Sequence, residues 1–102
     1  MDRAMLWEQH FGTVGLHEGG EAALEDVEGN LLFAGRGDVA LMGEDIFLVL
    51  TDASGNILAQ QQFGGEGDQW ATDLAEHTDA YFILGNSVQD GDMNILLIKQ
   101  AK

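Results

Sequence analysis

There is no cysteine in this chain and no proline, and only 4 basic residues stand against 18 acidic ones. Each shortage excludes something. Without cysteine there is no disulfide framework, and no thiolate to ligate a metal or act as a nucleophile. A net charge of −14 leaves no basic stripe for a phosphate backbone and no attraction to anionic lipid, so nucleic acid and membrane surfaces drop out as partners. Long apolar runs are missing too: none exceeds the five residues at 46–50, against the ~20 that a spanning helix needs. Residues 1–10 carry charge and no apolar stretch of signal-peptide length, so the expected location is cytoplasmic. The acidic excess reads as a solubilising surface rather than a dedicated cation-binding device.

Glycine, by contrast, is plentiful at 14, and it falls between short apolar runs. That is the pattern of strands joined by turns. Eight strands are expected, at 5–11, 21–27, 31–36, 46–51, 57–63, 70–76, 81–86 and 93–100. Those beginning at 31, 46, 81 and 93 are apolar on consecutive residues, which asks for burial on both faces. The strands at 5–11 and 57–63 alternate instead. Met5, Trp7 and Phe11 match Ile57, Ala59 and Phe63 on one side, while Glu8, His10, Gln60 and Gln62 take the other, as suits an outer edge with one wet face.

The matching strands belong to an internal repeat. Leu6-Trp7-Glu8-Gln9-His10-Phe11-Gly12 returns as Leu58-Ala59-Gln60-Gln61-Gln62-Phe63-Gly64 at an offset of 52 (58 − 6). Leu31-Leu32-Phe33-Ala34-Gly35 returns as Tyr81-Phe82-Ile83-Leu84-Gly85 at 50 (85 − 35), and Asp45-Ile46-Phe47-Leu48-Val49 as Asn94-Ile95-Leu96-Leu97-Ile98 at 49 (94 − 45). Met1 and Lys102 both project onto Ala53, so the two termini share one point of the repeat. A period near 50 residues signals propellers and arrays, whose units cannot bury their own apolar faces alone.

The expected fold is therefore all-β. A single domain, 1–102, holds two four-stranded antiparallel propeller blades, with repeat units 5–52 and 57–102. The internal blade is complete, whereas the second has three strands and its missing edge strand sits at the N-terminus. Two blades cannot close a ring, since propellers hold about four to eight. The expectation is a ring closed by head-to-tail oligomerisation, a homotrimer or homotetramer in which each N-terminal strand completes a neighbour's blade. A monomeric eight-stranded barrel or sandwich is the competing architecture.

The stretches Gly29-Asn30-Leu31-Leu32-Phe33-Ala34-Gly35, Asp45-Ile46-Phe47-Leu48-Val49, Asp52-Ala53-Ser54-Gly55-Asn56 and Phe63-Gly64-Gly65-Glu66-Gly67-Asp68 resemble the repeat of bacterial β-propeller proteins. The likeness departs at His77-Thr78-Asp79-Ala80, where the type prefers Asp-Gly-Gly, and at Leu50, where it prefers Lys. It implies a fold and no particular function.

Strand direction sends four longer loops to one face, and ligand-binding candidates follow from them: His17, Glu18, Arg36, Asp38 and Asp68, with Glu44 and Glu66 nearby. His17 and Glu18 have the chemistry of an acid–base pair, although a solvated loop histidine is the plainer reading. Asp90 and Asp92 are the metal candidates, because Asp90-Gly91-Asp92-Met93-Asn94 spaces oxygens as a calcium loop does. Ile95 and Ala101 exclude an EF-hand, and Asp and Asn in such turns ordinarily bond their own backbone. Arg36-Gly37-Asp38 reads as a chance tripeptide. Trp7 and Trp70 read as packing residues. The functional expectation is a non-catalytic binding or scaffold ring without a required cofactor, Ca2+ being the one candidate. Its partners would be itself and a small molecule or protein held on the long-loop face or at the central channel. The alternative is a carboxylate- and histidine-based hydrolase or lyase, with or without a divalent cation.

Overall fold

A computed structural model describes residues 5–11, 18–39, 43–64 and 67–102, and every regular element among them is a β-strand. In chain order they are β1 (Glu18–Glu25), β2 (Leu31–Val39), β3 (Gly43–Thr51), β4 (Ile57–Phe63), β5 (Asp68–Glu76), β6 (Ala80–Gln89) and β7 (Asp92–Ala101). They form two antiparallel sheets, one of four strands in the order β1-β2-β3-β4 and one of three in the order β5-β6-β7. No helix among the described residues is long and apolar enough to cross a membrane.

Alternation decides what lies between the sheets. Leu32, Ala34, Ile46 and Leu48 of the first pack against Ala71, Leu74, Tyr81 and Ile83 of the second, with Leu24, Leu50, Phe63, Leu96 and Ile98 closing the margins. Leu32, Ile46 and Ile83 are fully buried, each worth about 1.5–3 kcal/mol of transfer free energy. β5 is the strand that runs across β1, β2 and β3.

Both sheets bend at a bulge in their first strand. The ladder between β1 and β2 shifts at Gly20/Ala22, and that between β5 and β6 at Ala71/Asp73. Opposite stand Gly35 and Gly85, where the bulged backbone leaves no room for a side chain. A Cβ on Gly35 would meet the Gly19 carbonyl oxygen at 2.6 Å, and one on Gly85 would overlap the Trp70 carbonyl. Two turns also share one construction. Asp26 Oδ1 accepts from the Glu28 and Asn30 amides, and Asp52 Oδ1 from the Ser54 and Asn56 amides. Gly29 and Gly55 supply φ of +83° and +86° at the third position.

Two expectations need correction. Residues 5–11 are not a strand in the single chain, because a strand exists only as one side of a ladder and this segment enters none among the described residues. The loops were also expected to be longer. β6 runs on to Gln89 and β7 starts at Asp92, leaving Asp90-Gly91 with φ of 53° and +83° as a two-residue type I′ turn, the connection that fits strand twist. Between β2 and β3 only residues 40–42 remain.

Candidate functional site

Among the described residues the second sheet leaves its outer face and its β7 edge open. Its ladder sets Phe82 opposite Lys99, Leu84 opposite Leu97, Asn86 opposite Ile95 and Val88 opposite Met93. Since Ile83, Leu96 and Ile98 point into the core, these neighbours point the other way. Met93 is 65% exposed, Ile95 82%, Leu97 64% and Leu84 42%. Lys99 Nζ lies 5.8 Å from the Phe82 ring centroid and is the only cation on that face among the described residues. Single exposed apolar side chains are ordinary, but a contiguous row of four on one sheet face marks an interaction surface. Among the described residues β7 has β6 on one side and no strand on the other, whereas the corresponding side of β3 is taken by β4. β4 itself is exposed along nearly its whole length, so the first sheet projects beyond the second on this side.

On the outer face of the first sheet lie Leu31, Phe33, Phe47 and Val49, and residues 5–11 run over it. The Phe11 and Phe33 rings stand 4.8 Å apart at 51°, a tilted aromatic contact. Trp7 rests on Gly55, where a Cβ would come within 2.8 Å of its ring. The cover is partial. A cleft of about 510 Å3 remains between Trp7, Phe11, Leu31 and Phe33, and another of about 550 Å3 reaches from Phe11 and Phe33 to Phe47 and Gln62. Asp45 is buried at the end of this face; its Oδ2 accepts from Gln62 Nε2 at 2.6 Å, and its Oδ1 has no hydrogen-bond partner among the described residues.

A polar network joins the sheets at the opposite end of the strands. Tyr81 donates its hydroxyl to Asp26 Oδ2 at 2.7 Å, and Glu76 accepts the Val27 amide at 3.1 Å and Lys102 Nζ at 2.6 Å. Burial raises the Asp26 carboxyl pKa, but the bonds from Tyr81, Asn30 and Glu28 and the charge of Lys102 outweigh it and hold the group below the usual range. The Tyr81 phenol is pushed up, first by burial and then by its bond to the Asp26 carboxylate. Sequence reading missed this network. Its one visible signal was the Asp26 turn pattern, which says nothing about a partner 55 residues away.

The residues singled out from sequence sit at the far end of the strands from that network. Glu18 opens β1 and Asp38 lies in β2; register sets Asp38 beside Glu44 and Glu18 beside Gly37, though the side chains of Glu18, Asp38 and Glu44 are outside the description. Arg36 donates from Nε to Glu21 Oε1 at 3.0 Å. Asp68 starts β5, while Asp90 lies in the β6–β7 turn and Asp92 opens β7. His17 and Glu66 lie outside the described residues. Among the described residues no three His, Asp or Glu converge as a metal would need. Comparison with protein-family models, with curated proteins and with solved structures finds no match for this chain.

Proposed function

We propose that the chain is a two-blade unit that closes head to tail into a homo-oligomeric β-propeller and acts as a non-catalytic binding or scaffold ring. One observation carries this reading: among the described residues β3 has an outer partner and β7 has none, while the segment that repeats that partner, 5–11, enters no ladder. The repeat offsets specify the missing ladder. Ile46 pairs with Phe63, Val49 with Gln60 and Leu50 with Ala59; their counterparts would pair Ile95 with Phe11, Ile98 with Glu8 and Lys99 with Trp7. The bulges support the same repeat, since their positions differ by 51 (71 − 20). Within one chain two blades span too little of a circle to bring residues 5–11 to β7, so the exchange runs between subunits.

A ligand would sit at the strand ends that carry Glu18, Arg36, Asp38 and Asp68, or in the central channel. The adjacent backbones of Asp38 and Glu44 at that end keep a cation-dependent hydrolase or lyase as the second reading. Light scattering at micromolar concentration is expected to give a mass of three or four chains, and a stable single chain sinks the ring.

A further inference from the structure

Resting on that ring, we infer that the outer face of the first sheet is the seat of a second copy of this chain, and that residues 5–11 occupy the seat in the lone chain as a removable strap. The contact inside the chain is the template. There Leu32, Ala34, Ile46 and Leu48 close on a face that carries Tyr81, Ile83, Leu96 and Ile98. Moving the first set forward by the offsets 50 and 49 gives Phe82, Leu84, Ile95 and Leu97, the open face of the second sheet. Moving the second set back gives Leu31, Phe33, Phe47 and Val49, the outer face of the first. The face left bare and the face left half-covered are thus the two halves of a contact the chain already makes once.

Polar groups obey the same shift. Glu76 accepts the Val27 amide within the chain. An offset of 51 turns these into Glu25 and Thr78, so Glu25 of one copy receives the Thr78 amide of the next. Lys99, the cation on the open face, arrives on the side of Glu25, opposite in charge. Surface area agrees. The chain exposes 6958 Å2, about 1,300 Å2 more than the ~5,600 Å2 of a compact monomer of its mass. Each partner gives up about 800 Å2 at a standard interface, and a ring subunit has two.

The strap is suited to leave. Open clefts of about 510 and 550 Å3 flank the Phe11–Phe33 contact, so the strap, residues 5–11, covers this face only in part. Its backbone also enters no ladder in the lone chain, whereas along a neighbour's β7 it would gain a row of hydrogen bonds. Uncovering the seat and supplying the missing strand are one movement.

The chain has no cysteine, so a Phe11→Cys/Phe33→Cys variant can be joined within the chain by a short bismaleimide. The joined protein is expected to scatter as a single chain, and the same variant before joining as the full oligomer. Should the cysteine pair prevent assembly by itself, lysine variants decide. Ile95→Lys/Leu97→Lys damages the open face and Ala23→Lys the seat, both at exposed positions, and added lysine reduces self-repulsion. Each alone should be a monomer, and an equal mixture should stop at a dimer, because one intact pair of faces remains. A joined chain, or either lysine variant, with the wild-type mass overturns the seat. A wild-type chain that is itself monomeric overturns the ring, and is seen before any variant is made.

Discussion

Asp26 shows how a turn residue becomes a tertiary one. One carboxylate oxygen builds the turn by accepting the Glu28 and Asn30 amides, and the other reaches the second sheet through Tyr81. Tyr81→Phe is expected to cost about 1.5–3 kcal/mol, the range for a hydrogen bond to a charged group, read from the urea midpoint. The pH dependence has a definite sign. A carboxyl whose folded pKa is lowered contributes stability that is present above the unfolded value, near ~3.9, and lost as pH falls through the folded one. Removing the Tyr81 hydroxyl takes away the largest cause of lowering, so the acid unfolding midpoint of Tyr81→Phe should move to higher pH. Tyr81, raised when folded, contributes below its unfolded pKa of about 10 and loses that contribution as alkali ionises it. An unchanged acid midpoint in the variant would mean that the bond does not form in solution.

Between elements, the comparison of residues 5–11 with β4 is instructive. Their sequences share the spacing of Leu, Gln, Phe and Gly, yet one is a strand and the other is not. The difference is a neighbour. β4 follows β3 through the tight Asp52 turn and finds an edge at once, which makes the ladder local. Residues 5–11 precede β1 and meet only a sheet face. Deleting residues 1–11 is therefore expected to leave both sheets folded, with an unchanged β-type circular dichroism spectrum, and to reduce the mass to one chain. Truncated protein that elutes at the full-length size would show that the segment is no structural part of the ring.

At the scale of the molecule, charge opposes assembly. In the proposed ring every subunit would add −14, and like charges within about 10 Å repel until salt screens them. The thermal midpoint of the oligomer should rise with sodium chloride. At matched ionic strength, calcium should give the same midpoint, because Asp90 and Gly91 adopt the positive φ of a tight hairpin and no cluster of three acidic or histidine side chains converges among the described residues. A higher midpoint in calcium would assign a cation to Asp90 and Asp92 and revive the cation-dependent reading.

All seven strands among the described residues were legible in the sequence, with β4 placed to the residue, because side-chain alternation and glycine punctuation are local properties of the chain; the eighth expected strand, 5–11, is not one in the single chain. The consecutive apolar residues of β2, β3, β6 and β7 also announced that both faces of those strands want burial. How far that burial goes was decided only in three dimensions. β3 has its inner face buried and its outer face partly covered by residues 5–11, while β7 shows Ile95 and Leu97 to solvent, where nothing among the described residues packs on that face. The Asp26–Tyr81 bond, the buried Asp45 and the seating of Phe11 on Phe33 were invisible for a related reason. Each joins residues distant in the chain, and nothing in local pattern records which distant group a side chain will meet. Strand length was misjudged where Asp and Asn suggested loops, since the twist of a paired hairpin carried the ladder on to Gln89 and Asp92. Local periodicity, then, determined the strands and the turns; the tertiary structure decided which edge and which face remain open among the described residues.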